Sequence, residues 1–217
     1  MALARQAAAA GVRRFIFIST VKVNGESSPP GQPFRADDVP APQDPYAVSK
    51  MEAEQGLRQL AAHTGLQVVT IRPPLVYGPG AGANFAALLR AVRRGLPLPL
   101  GAIHNQRSLV ALDNLVDLIT TCVTHPAAAN QTLLVSDGQD LSTAELVRAM
   151  AQATGVPVRL PSVPVWALRA AASLLGKREV VSRLCNNLQL DIAKTRSLLG
   201  WVPAQSVQEG LRRAVSS

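Results

Sequence analysis

Tyr46 and Lys50 stand four residues apart in Tyr46-Ala47-Val48-Ser49-Lys50, the spacing that stacks two side chains on one face of a helix. A phenol and an ammonium placed this way can do acid–base chemistry. A fixed cation nearby favours the phenolate, which otherwise forms near about pH 10. Such a tyrosine can take a proton from a sugar or alcohol hydroxyl near neutrality, or return one. Upstream, the apolar run Phe15-Ile16-Phe17-Ile18 leads into Ser19-Thr20. Thr20, at the carboxyl end of a strand and with Ser19 beside it, can hydrogen-bond the same substrate oxygen. The Tyr-x-x-x-Lys spacing also arises by chance in many helices, so its context has to carry the assignment.

That context is an alternation of strands and helices. Periodicity predicts a strand over 14–19, a polar loop over 25–45, a helix over 46–64 and a strand over 66–71, a crossover unit of a parallel sheet. A helix over 84–94 stops at Gly95, and the proline-spaced stretch 96–101 forms a stiff link. Residues 107–112 read as a strand, with Asp113 capping a helix over 114–124. Residues 133–135 read as a short strand, and the hydroxyls of Ser142 and Thr143 cap a helix that runs to Thr154. The fold class is α/β, with a sheet-bearing part over 1–77 and a smaller lobe over 78–217, of which 107–137 returns to the sheet. The ligand cleft is expected between the two parts.

Composition narrows the function classes. In 217 residues, 47% are hydrophobic and 17% charged, as in a globular domain with a substantial core. Cys122 and Cys185 sit in apolar helical contexts without Cys-x-x-Cys spacing and read as buried free thiols in a reducing compartment. His63, His104 and His125 are scattered, so no metal site is expected. Arg5 and Gln6 interrupt the amino-terminal apolar stretch, which argues against a signal peptide and for a cytoplasmic protein. The net charge of +8 comes without aromatic–basic interleaving, and aromatics are 4% of the chain, so nucleic acid is not an expected partner. The segment 163–175, followed by Lys177-Arg178, is apolar with basic flanks. It is too short to span a bilayer, and it reads either as a core-facing helix of the small lobe or as an interfacial one. The cluster Gly78-Pro79-Gly80-Ala81-Gly82-Ala83 is not a dinucleotide fingerprint, because Pro79 removes an amide donor and no acidic residue ends a second strand beyond it.

Several segments taken together carry a family resemblance. They are Ser19-Thr20, Val23-Asn24-Gly25, Asp44-Pro45 before Tyr46, Arg72-Pro73-Pro74-Leu75-Val76-Tyr77-Gly78-Pro79-Gly80, Arg107-Ser108-Leu109-Val110 with Asp113-Asn114-Leu115, and Leu199-Gly200-Trp201-Val202-Pro203. The chain resembles the sugar-nucleotide epimerase and dehydratase branch of the extended short-chain dehydrogenases/reductases. The resemblance implies the C-terminal part of a Rossmann-type doubly wound parallel sheet plus a smaller α/β substrate lobe. It also implies that the strand, Gly-x-x-Gly-x-x-Gly turn and helix with which this family opens are not among these residues.

The implied activity is NAD-dependent 4-epimerisation of a UDP-hexose or UDP-N-acetylhexosamine by transient oxidation at C4, in the surface-polysaccharide subgroup. The alternatives are an NAD(P)H-dependent 4-ketoreductase and a catalytically incompetent fragment or interaction module. Tyr46, Lys50, Thr20 and Ser19 take the catalytic roles, and Tyr46, Lys50 and Pro73 contact the cofactor, NAD or alternatively NADP. Arg107 is the diphosphate clamp, its guanidinium suited to paired phosphate oxygens, with a surface salt bridge as the other reading. Asn84 contributes either a substrate contact or a simple helix cap. Leu75 stands where UDP-glucose 4-epimerases carry asparagine, so nucleotide contacts are expected to differ. Homodimerisation through the Tyr46 helix is the oligomeric state the resemblance implies.

Overall fold

In the computed structural model, which describes residues 1–216 apart from the side chains of Ala83 and Asn84, two parallel sheets organise the chain. The larger contains β1 (Arg14–Ile18), β2 (Gln67–Arg72) and β5 (Thr132–Leu134) in the order β1-β2-β5. Arg14 pairs with Gln67 and Ile18 with Ile71, while Thr70 pairs with Thr132. The smaller joins β3 (Leu75–Tyr77) to β4 (Leu109–Ala111), with Val76 beside Val110. β1 and β2 are connected by α2 (Pro45–His63), the crossover that a parallel pair requires.

Alternation along the strands decides which helices cover which face. Ile16, Ile18, Val69 and Ile71 pack with Leu115, Leu118 and Cys122 of α4 (Leu112–Thr124) and with Leu199 of α8 (Ala193–Leu199). Phe15, Phe17 and Val68 face the other way, onto Leu57 of α2 and Ala4 of α1 (Ala2–Ala9). A separate core surrounds the small sheet, built from α3 (Ala83–Arg93), α5 (Thr143–Thr154) and α9 (Val207–Val215). Asp137 ties that core together, accepting hydrogen bonds from the Tyr77 hydroxyl at 2.6 Å, the Ala111 amide at 2.9 Å and Asn114 Nδ2 at 2.7 Å.

Local chemistry sets the element ends. Asp44 caps α2, its Oδ1 accepting from the Ala47 amide at 2.7 Å, and Pro45 occupies the first turn, where its missing N–H costs nothing. Ser142 and Glu145 form a capping box at α5, the cap anticipated from the hydroxyls there. Asp113 does not cap α4, which begins one residue earlier at Leu112 without a side-chain cap. Its carboxylate accepts instead from Arg213 at 2.8 Å and from Gln205 at 3.1 Å, drawn by cations and amides of the C-terminal segment.

After β3 the chain turns at Gly78, where φ is +154° and an added Cβ would stand 2.8 Å from Leu112 Cβ. Gly78→Ala is therefore expected to cost about 1–3 kcal/mol of stability. Chemical denaturation reads this directly, and a neutral substitution would refute the close β3–α4 approach.

Candidate active site

Of the side chains singled out by spacing, Lys50 reaches the end of β1. Tyr46, Lys50, Glu54 and Arg58 follow one another at four-residue intervals along α2 and so lie along one side of it. Lys50 Nζ donates to the Ile18 carbonyl at 3.0 Å and sits 4.8 Å from the centre of the Phe17 ring, so the strand end holds the ammonium in place. The same nitrogen lies 5.9 Å from the centre of the Tyr46 ring. Tyr46 is 53% exposed, and its hydroxyl has no hydrogen-bond partner among the described residues. A cation fixed from behind and a phenol open in front is an arrangement able to move a proton to or from a bound hydroxyl.

Ser19 and Thr20 are both buried, but they are used differently. Ser19 Oγ donates to Glu54 Oε1 at 2.5 Å. Thr20 Oγ1 accepts from the Lys22 amide at 3.3 Å, as the cap of the short 3-10 turn Val21–Val23, and keeps its own proton for another partner. Pro73 is buried, its carbonyl accepting from the Val21 amide at 3.0 Å, which joins the ends of β1 and β2.

Beneath this corner lies a charged network that the sequence reading did not single out. Glu54 and Arg72 each have a side chain only 1% exposed. Arg72 Nη2 donates to Glu54 Oε2 at 2.6 Å and Nε to Oε1 at 2.9 Å, a two-pronged pair, while Nη1 reaches Asn24 Oδ1 at 3.0 Å. The pair thus links α2 to β2, and through Ser19 to the end of β1. Glu54 continues the Tyr46, Lys50 spacing by one more interval, which was the available signal for it.

In front of the α2 amino terminus, Lys22 Nζ donates to Glu26 at 2.7 Å and to Asp44. Burial alone would lower the Lys22 pKa, but hydrogen bonds to Asp44 and Glu26 outweigh it and raise it. The Lys22 hydrogen bond, with the Ala47 amide, lowers the Asp44 pKa. Because its folded value lies below the unfolded one near about 4, Asp44 contributes its full stability above that pH and loses it as pH falls through the folded value. The stability gap between the parent and Asp44→Asn should accordingly be constant from neutral pH down to about 5 and close in stronger acid. A gap that widens on acidification would contradict the Lys22–Asp44 assignment.

A cleft of about 410 Å³ opens between this loop and α7 (Arg178–Cys185), lined by Glu26 and Asp44 on one side and Arg178, Arg183 and Asn186 on the other. Arg107 stands behind α7. Its Nη1 donates to the carbonyls of Arg183 and, at 3.1 Å, of Asn186, while Nε and Nη2 have no hydrogen-bond partner among the described residues. Burial pushes its pKa down, and the charge of Glu26 partly opposes that. Arg107 also lines a second, mainly apolar cavity of about 330 Å³ with Leu75, Phe85, Leu88, Leu109 and Leu146. The side chain of Asn84 lies outside the described residues. Lys50 thus ties the Tyr46 helix to the last residue of β1, two positions before Thr20, while Arg107 lines the apolar cavity of the small lobe.

Comparison with known proteins adds four findings. Residues 1–135 match the NAD dependent epimerase/dehydratase family. The chain is 52% identical over 216 residues to a UDP-glucose 4-epimerase of Vibrio cholerae, covering 99% of this chain and 66% of that protein. It is 30% identical over 231 residues to the 2-alkyl-3-oxoalkanoate reductase of Stenotrophomonas maltophilia, covering 95% of this chain and 69% of that one. The crystal structure of UDP-glucuronic acid 4-epimerase from Bacillus cereus in complex with NAD superposes with a TM-score of 0.78 at 19% identity, over 99% of this chain and 64% of that one. At that identity the likeness is one of fold. The chain spans about two thirds of the length of these proteins.

Proposed function

The chain belongs to the NAD dependent epimerase/dehydratase family, and from that premise we propose that it serves the 4-epimerisation of a nucleotide sugar, a UDP-hexose or UDP-N-acetylhexosamine, in surface polysaccharide synthesis. The observation that carries the reading is the Tyr46–Lys50 pair, its ammonium anchored on the Ile18 carbonyl and its phenol open to solvent. The 52% identity to a UDP-glucose 4-epimerase supports the choice of substrate class.

Tyr46 takes the proton from the sugar O4 hydroxyl and gives it back when the configuration has changed. Thr20, its proton uncommitted, donates to the same oxygen and holds it in reach of the phenol. Lys50 holds positive charge beside the phenol oxygen, which is negative before it accepts the O4 proton and again after it has given the proton back. Arg107, with two guanidinium nitrogens unengaged, faces the diphosphate, and the apolar cavity next to it takes the flat face of a base. NAD, when bound, supplies the hydride acceptor and donor for C4. Tyr46, Lys50 and Pro73, at the carboxyl ends of parallel strands, fit its nicotinamide end. For its pyrophosphate the described residues present no glycine-rich strand-to-helix turn, since the turn before α3 carries Pro79.

A second reading, one-way reduction of a 4-keto sugar by NAD(P)H, uses the same residues, and the 30% identity to an oxoalkanoate reductase supports the reductive direction, though not a sugar substrate. Calorimetric titration of the 217-residue chain with NAD, NADH and NADPH, followed by a UDP-galactose to UDP-glucose assay, tests both. Micromolar affinity, about 8 kcal/mol, with interconversion and no net use of cofactor supports the epimerase. Stoichiometric oxidation of NADH or NADPH by a keto sugar supports the reductase. Turnover of neither kind by a folded chain with cofactor present overturns both for these residues.

A further inference from the structure

We propose that the hairpin of α6 (Val165–Leu174) and α7 is a docking surface for an anionic lipid bilayer. Of the α6 residues only Ala172 is buried, although the helix is rich in alanine and leucine. Val165 and Leu168 pack on the small-lobe core as expected of a core-facing helix, and the opposite side is left uncovered. Trp166 is 74% exposed, Leu174 89% and Leu175 71%, and Val180 on α7 is 54% exposed. Trp166, Ala170 and Leu174 follow at four-residue intervals and make one apolar ridge, about 12 Å long at the helical rise. Leu175 extends it into the turn.

Cations flank the ridge along the chain. Between residues 155 and 190 stand Arg159, Arg169, Lys177, Arg178 and Arg183, with Glu179 the single acidic residue, and Glu179 is itself bound to Arg183 at 3.4 Å. Arg169, Lys177 and Arg178 are exposed. The hairpin is a built unit rather than a loose end. The Lys177 amide donates to the Ala172 carbonyl at 2.8 Å and Arg178 to the Ser173 hydroxyl, while Arg169 reaches Asn186 at 3.2 Å.

Protruding leucines, a tryptophan beside them and a rim of long cationic side chains match the layered chemistry of a bilayer surface. The leucines suit the acyl boundary, the indole the headgroup level and the cations the lipid phosphates. Among the described residues no helix is long and apolar enough to cross a membrane, so the contact lies on the surface. Tyr46, Lys50 and Thr20 take no part in it, and the proposal stands apart from the proposed activity.

The two tryptophans make the test specific. Trp201 is 4% exposed and donates to Asp117 at 2.7 Å, a constant background, so changes in emission report on Trp166. The full chain is mixed with phosphatidylcholine vesicles with and without phosphatidylglycerol, and both flotation and tryptophan emission are followed. The expected result is flotation with the phosphatidylglycerol vesicles only, a blue-shifted emission quenched by brominated lipid, and release at about 0.5 M salt. Leu174→Glu/Leu175→Glu should weaken binding at least about tenfold, and Lys177→Glu/Arg178→Glu similarly, both with unchanged melting. No flotation with anionic vesicles, or flotation indifferent to both double variants, overturns the proposal. So does sedimentation showing self-association that Leu174→Glu/Leu175→Glu abolishes, because the ridge then joins two copies.

Discussion

Glu54→Ala is expected to destabilise the fold by about 3–5 kcal/mol, a large share of the 5–15 kcal/mol typical of a whole domain. The substitution removes a carboxylate that accepts from Ser19 and from two nitrogens of Arg72. It leaves the Arg72 guanidinium, 1% exposed, as an uncompensated charge inside the protein. Arg58, which also reaches Glu54, is itself half in solvent, so losing that contact matters little. Glu54→Leu combined with Arg72→Met should cost much less than either removal alone, because it takes out both charges at once. Urea denaturation of the single and double variants decides the matter. A single-variant loss under about 1 kcal/mol would mean that water reaches the pair and that it does not hold β1, β2 and α2 in register.

Tyr46→Phe should have the opposite profile, with activity lost and stability kept. If the proposed chemistry holds, removing the phenol hydroxyl takes out the group that moves the O4 proton, and kcat should fall about 10²- to 10⁴-fold. The melting temperature should stay within error, because the Tyr46 hydroxyl makes no hydrogen bond among the described residues and the side chain is 53% exposed. The substrate KM should change little, since the ring itself remains. An enzyme that keeps most of its kcat would remove Tyr46 from the reaction. A variant that loses activity and melting temperature together would recast the residue as structural.

Much of this arrangement was legible along the chain. The four-residue step from Tyr46 to Lys50 and the apolar strand running into Ser19-Thr20 are local features, set by helix and strand periods that any fold must respect. The same holds for Asp44-Pro45 before α2 and the capping box at Ser142, where neighbouring backbone amides need a partner whatever else packs nearby. The strand-helix-strand order was equally local, because the near-continuous apolar runs of β1 and β2 require cover on each face.

Contacts between distant residues were decided only in three dimensions. Ser19 and Thr20 are adjacent and chemically alike, yet burial of Glu54 claims the Ser19 hydroxyl and leaves that of Thr20 with a proton to give. Asp113 lost its expected capping role to Arg213 and Gln205, partners far along the chain. Arg72 reads in sequence as the end of a strand before two prolines, and only the approach of α2 to β2 makes it half of a buried ion pair. The apolar segment 163–175 had two readings, of which the core-facing helix was preferred to the interfacial one. Its composition determined an apolar helix with cationic flanks, and the tertiary structure seated Val165 and Leu168 on the core and turned Leu174 and Leu175 outward, since only the packing of the small lobe fixes which face of a helix meets a core.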